Sequence, residues 1–210
     1  MFYSNQNRVL SEKEREEIIV AAEKSYKEFM EALKIDLNDP NAKDTPHRVA
    51  KMYVNELFKG RYEKKPDIQS FPNTEGYDEI IFTNCNAFSV CAHHHVLINN
   101  QIFIGVLSNP DPNSRLIGLS KYTRIAEWIS SRPTIQEDMT SQLHDEINDL
   151  CQDNLVVIVY VIEQHGCTTS RGVKQINSKM ITCRCSGVFK NDKSSKDEFL
   201  SMVKSVEGRV

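Results

Sequence analysis

The chain has 210 residues, 40% of them hydrophobic and 26% charged, enough apolar material for one substantial core and at most two small ones. Its net charge of −3 argues against a broad nucleic-acid-binding face, so any anionic ligand must be held by a local basic cluster. Met1 to Leu10 has no signal-peptide core and no apolar run approaches the roughly 20 residues of a membrane span, so a cytoplasmic protein with no membrane partner is expected, its six cysteines reduced or metal-bound rather than in disulfides.

Ser11-Glu-Lys-Glu14 has the form of a capping box, and Ile18, Ala22, Tyr26, Phe29, Met30 and Leu33 recur at helical spacing, predicting a first helix over about 11–34. Asp36 to Asp44 reads as a loop. Thr45 and Pro46 then offer a capping hydroxyl and an N1 proline to a second helix carrying Val49, Met52, Tyr53, Leu57 and Phe58 and ended by Gly60. After a proline-containing loop over Lys64 to Glu75, Glu79 to Thr83 and Ala87 to Cys91 read as short strand pieces. Val96 to Ile98 and Gln101 to Leu107 read as a hairpin about Asn99-Asn100, and Ser108 to Ser114 as a loop. Leu119 to Ile129 and Glu137 to Leu150 carry the spacing of two consecutive helices. Leu155 to Ile162 is a continuous β-branched run, as in a well-buried strand, Gly172 to Phe189 alternates loosely as a long strand or hairpin, and a helix over about 195–206 follows. This order predicts an α+β fold.

The chemistry concentrates in Cys91-Ala92-His93-His94 and His165-Gly166-Cys167. A thiolate and an imidazole three positions apart fit one tight turn, and a distant soft ligand can close on them; three protein ligands with an open fourth position distinguish a catalytic zinc site from a closed structural one. Each half alone is a weak signal, because C-x-x-H arises by chance, but each offers a cysteine beside a histidine. Cys183 and Cys185 form a further pair that could instead complete a Cys-rich structural site. No glycine falls in a Rossmann or P-loop pattern, so a nucleotide needs another cradle. Candidate cations are Arg48 and Lys51, Lys121 and Arg124, each pair one helical turn apart, and Arg171; the alternative for each is a solvated helix face.

Five stretches, in order, resemble the motifs of the GTP cyclohydrolase I family: Thr45-Pro-His-Arg-Val-Ala-Lys-Met-Tyr-Val54, Ser89-Val-Cys-Ala-His-His94, Ile117-Gly-Leu-Ser-Lys121, Arg132-Pro-Thr-Ile-Gln-Glu137, and His165-Gly-Cys167 through Arg171-Gly172. The resemblance implies a Zn2+ cofactor on Cys91, His94 and Cys167, with Cys183 and Cys185 reverting to strand residues. It implies acid/base work by His165, or second by His93, guanine held by Gln136 and Glu137, and triphosphate held by Arg48, Lys51, Ser120, Lys121, Arg124 and Arg171. These roles are chemically coherent: one carboxylate can accept both guanine N1–H and the exocyclic amine, and arginine forks suit phosphate oxygens. The implied reaction is hydrolytic opening of the guanine ring of GTP by zinc-activated water, with loss of C8 as formate and formation of 7,8-dihydroneopterin triphosphate, upstream of folate, biopterin or 7-deazaguanine synthesis.

The resemblance also implies the tunnelling fold, in which antiparallel strand pairs of several subunits close a barrel with the helices outside, here a homodecamer of two stacked pentamers with interfacial sites. An N-terminal helical region, 1–63, would precede a catalytic tunnelling-fold domain, 64–210. Ala92 stands where the family pattern has Glu, and Thr134 and Asp138 where Gln and Arg are commoner. The alternative is therefore a catalytically weak or altered-specificity member that binds a purine nucleotide or a protein partner. A zinc module for nucleic acid fits neither the charge nor the spacings.

Overall fold

The computed structural model describes residues 1–151 and 156–207. Its first helix, α1 (Glu12–Ala32), starts at the expected capping box: Ser11 Oγ accepts the Glu14 N–H at 3.2 Å and Glu14 Oε2 accepts the Ser11 N–H at 2.8 Å. The second, α2 (Thr45–Met52), differs at its cap, since Asp44 precedes it and Thr45 and Pro46 already lie in the first turn. It continues through a π-helical turn, Tyr53–Leu57, and Gly60 does not end it but lies within a further short helix, α3 (Lys59–Tyr62). Packing explains this glycine. Its N–H donates to Ser131 O at 3.0 Å, its carbonyl accepts from the buried Arg132 Nε at 3.1 Å, and a Cβ there would stand 2.0 Å from Trp128 O. Arg132 also lies 4.0 Å over the Trp128 ring; burial, with the like charge of Arg61, pulls its pKa down to about 10. Ile19, Ala50, Val54 and Tyr62 form a small core among these helices.

A short strand, β1 (Ser70–Pro72), lies within the stretch expected to be loop. The expected strand pieces and Asn-Asn hairpin are instead two long strands. β2 (Ile80–Cys91) is continuous, and β3 (Leu97–Leu107) runs straight through Asn99 and Asn100; the two pair antiparallel from Ile80↔Leu107 to Val90↔Leu97, which makes residues 92–96 the hairpin turn. Asn100 is tolerated inside a strand because its Nδ2 donates to Ser89 Oγ at 3.1 Å. Next, β4 (Arg115–Ile117) pairs with β1, and α4 (Leu119–Ser130) and α5 (Gln136–Leu150) are the two consecutive helices expected. Between them β5 (Pro133–Thr134) adds a parallel rung to Val90 and Cys91.

The β-branched run forms β6 (Val156–His165), which extends three residues past Ile162; Leu155, its expected start, lies outside the described residues. After a short α6 (Gly166–Thr169), the long strand expected over 172–189 is reduced to β7 (Met180–Cys185), because Gly172 and Lys174 take positive φ of 60° and 52° and Phe189 leaves the sheet for the core in α7 (Gly187–Asn191). The helix α8 (Lys193–Glu207) ends the described chain. The sheet order is β5-β2-β3-β6-β7. Val157, Val159 and Val161 of β6 join the core with residues of α4 and α5, while Ile158 and Ile162 join Phe189 and Phe199 of α7 and α8. Covering both faces accounts for an unbroken apolar run where a half-exposed strand would alternate. The fold is α+β, antiparallel strand pairs with two consecutive helices packed on one face.

Gly60→Ala should destabilise the protein by about 1–3 kcal/mol, several degrees in thermal midpoint by calorimetry, because the Cβ meets a backbone oxygen that cannot rotate away. Gly118→Ala is the control: nothing lies within 4 Å of a Cβ there, and the midpoint should hardly move.

Candidate metal centre and active site

Residues distant in sequence meet here because β3 pairs with two strands at once. The registers Val90↔Leu97 and Ile98↔His165 bring the ends of β2 and β6 to the start of β3. The hairpin turn is closed by Cys91 N–H to Val96 O at 3.0 Å and His95 N–H to Cys91 O at 2.9 Å, and is tied to β5 by Ala92 N–H to Thr134 O at 3.1 Å. His95 takes a left-handed φ of 52°, its ring held 5.9 Å from Tyr53 and 5.4 Å from Phe58. The turn places His93 Nδ1 3.9 Å and His94 Nδ1 3.8 Å from Cys91 Sγ.

Cys167 reaches the same point through Gly166, where a Cβ would stand 2.5 Å from Leu97 O, so only glycine lets α6 start against the hairpin. Donor atoms of Cys91, His94 and Cys167 lie within 4.8 Å of one another. Cys91 is buried, Cys167 half-buried and His94 exposed, giving the group one open side. Burial and the neighbouring Cys91 thiol push the Cys167 thiol up. Two thiolates and an imidazole are a donor set that suits zinc. Cys183 and Cys185 lie on β7 and belong to no such group among the described residues.

His165, at the end of β6, is oriented by the start of α5. The Gln136 side chain is 1% exposed, and its Nε2 lies within 3.3 Å of Val161 O and 3.1 Å of both Met180 O and Thr182 Oγ1. These acceptors fix the amide, so Gln136 Oε1 faces His165 Nε2 at 3.1 Å and must accept its hydrogen. The Gln136 amide is thus engaged within the chain, while Glu137 beside it is exposed. Sequence reading passed over Glu163, which is fully buried with Oε2 3.1 Å from His165 Nε2. Burial raises its pKa, the contact with His165 opposes this, and Glu137 adds to the rise. Its one signal in the sequence is an acid two positions before His165, on the same face of an otherwise apolar strand.

The cations are dispersed. Arg171 Nη1 lies 3.0 Å from His94 Nε2, at the rim of the donor group. Ser120 and Lys121 lie in the first turn of α4, Arg48 and Lys51 on α2 with Arg48 3.5 Å from Asp44, and Arg124 in a groove with Lys59, Glu63 and Trp128. Among the described residues none of these five is in hydrogen-bond or ion-pair contact with Cys91, His93, His94, His165 or Cys167.

The sequence profile of the GTP cyclohydrolase I family matches residues 22–204. The GTP cyclohydrolase 1 of Buchnera aphidicola subsp. Schizaphis graminum is 40% identical over 192 residues, covering 90% of this chain and 84% of the relative. Those of Aliivibrio fischeri strain MJ11 and Flavobacterium johnsoniae are 34% identical over 201 residues and 36% over 191, covering 95% and 90% of this chain and 88% and 83% of the relatives. With the motif order, the converging Cys-His-Cys donors and a profile match across nearly all of its length, the chain belongs to the GTP cyclohydrolase I family.

Proposed function

We propose that this chain opens the guanine ring of GTP hydrolytically at C8, releases C8 as formate and yields 7,8-dihydroneopterin triphosphate, with zinc held by Cys91, His94 and Cys167. The observation that carries this reading is the convergence of those three donors within 4.8 Å beside a histidine of determined orientation. Zinc held there would lower the pKa of bound water to roughly 7, supplying a nucleophile at neutral pH. His165 exchanges protons with the purine ring, an imidazole being suited to both directions near neutrality, and His93 is the second candidate. Gln136 holds His165 in place. Glu137, exposed at the start of α5, accepts guanine N1–H and the exocyclic amine together.

The triphosphate falls to Arg171 at the rim and to Ser120, Lys121, Arg124, Arg48 and Lys51, the last five joining the site between neighbouring subunits. Support for assembly comes from the sheet. β7 is an edge strand with Ile181 54% exposed, β2 carries Phe88 63% exposed, and such edges and apolar groups call for partners. We infer a decamer of two pentamers whose strands close a barrel. Six cysteines, none of them in a disulfide, suit a reducing, cytoplasmic setting, and no helix among the described residues is long and apolar enough to cross a membrane.

Metal analysis should find one zinc per chain. Cys167→Ser should lose most of it, whereas His165→Ala should keep the zinc and lose formate release; a Cys167→Ser protein that retains full zinc would sink the ligand set.

Glu137→Gln should lose most GTP turnover. The amide sets a donor against a guanine donor, and an unpaired buried group costs about 1–3 kcal/mol, or roughly five- to 150-fold in kcat/KM. Unchanged GTP kinetics would place the guanine elsewhere.

Light scattering should give a mass about ten times the 24.1 kDa chain, and mixing inactive Cys91→Ser and Arg48→Ala chains should restore some activity through sites that carry neither change. A fully active monomer would refute the shared site.

A further inference from the structure

We propose that Glu163 is a positioning residue for this reaction: from a fully buried place on β6 it holds His165 with Nε2–H turned inward and sets a carboxylate behind the imidazole, leaving Nδ1 as the nitrogen that exchanges protons. The inference rests on the reaction proposed above. Its first support is the cost of the residue. Glu163 is 0% exposed, and among the described residues neither carboxylate oxygen has a hydrogen-bond partner; Oε2, 3.1 Å from His165 Nε2, lies beside the hydrogen-bond direction that Gln136 Oε1 takes. A carboxylate buried without donors opposes folding, and the neighbouring positions on its strand face, Val157, Val159 and Val161, are apolar.

Among the described residues, the ionisable groups that act on Glu163 are His165, 3.1 Å away, and the like-charged Glu137. Asn100 stands directly opposite it on β3, but its Nδ2 donates to Ser89 Oγ at 3.1 Å and its Oδ1 is itself buried without a donor. Gln136 likewise commits its amide hydrogens to Val161 O, Met180 O and Thr182 Oγ1. The group that faces the carboxylate is therefore the His165 ring. Because the fixed Gln136 Oε1 accepts at 3.1 Å, Nε2 must carry hydrogen, with Glu163 Oε2 beside it at 3.1 Å, and the neutral ring has its lone pair on Nδ1. A proton taken up at Nδ1 makes an imidazolium whose charge the buried carboxylate balances; the same proton returns from Nδ1, and Nε2–H stays in place throughout. The metal turn, Cys91 to Val96, contains no acid that could serve instead. An acid that holds the tautomer and steadies the imidazolium without itself taking the proton is an established division of labour. Burial raises the proton affinity of Glu163, the neighbouring His165 lowers it, and Glu137 adds to the rise.

The test is Glu163→Gln and Glu163→Leu in the zinc-loaded oligomer, with GTP turnover by the parent measured first. Glu163→Gln should lower kcat for formate release about a hundredfold, with KM for GTP within about twofold and zinc content unchanged. Both variants should raise the thermal midpoint, because each removes a buried carboxylate that lacks donors; a residue kept for structure would lower it. Glu163→Asp, which keeps the charge, should recover part of kcat. An active parent with Glu163→Gln within about threefold in kcat overturns the role of Glu163 alone, as does a midpoint that falls in both variants. A parent that releases no formate from GTP overturns the reaction and this inference with it.

Discussion

The register of β3 against both of its neighbours is the constraint on which the rest depends. Strand pairing has a side-chain period of two, so a slip of one residue would turn Glu163 and His165 from the α5 side of the sheet to the α7 and α8 side, and would separate Cys91 from Cys167. Two features hold the register. Both faces of β3 and β6 are covered by helices, so any slip exposes one apolar set to the wrong core. Gly105, opposite Ile158, is also matched to the ring of Phe199: a Cβ there would stand 2.6 Å from Phe199 Cδ2. A shifted strand would drive a branched side chain into that ring.

Along β3 and β6 the sheet divides into two parts with different tasks. From Ile102 to Leu107 and from Val156 to Ile162 the strands are almost wholly apolar and supply the burial that stabilises the fold. At the other end Asn99 faces Gln164 and Asn100 faces Glu163 across the ladder, and beyond them lie His165 and the hairpin turn with Cys91 and His94. Polar groups are thus confined to one end, where buried acceptors without donors are tolerated and strand geometry holds side chains in place. Stability lost at that end is offset by the apolar half, a division expected where a site needs groups that a core would otherwise reject.

The N-terminal helices brace the same end from outside. The π-helical turn after α2 presents Tyr53 and Phe58 to His95, the residue whose left-handed backbone lets the hairpin reverse around Cys91 and His94, two of the candidate metal donors. Meanwhile α3 is locked to the α4–α5 connection through Gly60 and Arg132, and that connection carries Thr134, which binds the turn, and Gln136, which binds His165. Two elements that hold no metal donor therefore orient those that do. In a chain of net charge −3 the candidate phosphate-binding cations are spread over α2, α4 and the loop after α6.

What could be read directly from the residues was whatever has a local cause. The capping box before α1, the spacings of α4 and α5, the apolar run of β6 and the paired Cys-His motifs each act within a few residues, and each is found close to where it was expected. Other features depend on partners far along the chain. Asn99-Asn100 resembles a turn until Ser89 is seen to satisfy Asn100 from the neighbouring strand; Gly60 resembles a helix stop until Trp128 O is seen against it. Gln136 gains its relation to His165 only when α5 docks on β6, an event that no window of sequence encodes. The sequence by itself determined which atoms could bind a metal or move a proton, because residue type sets chemistry. Tertiary structure alone decided which of them meet, because strand register and helix docking are set by burial summed over the whole core.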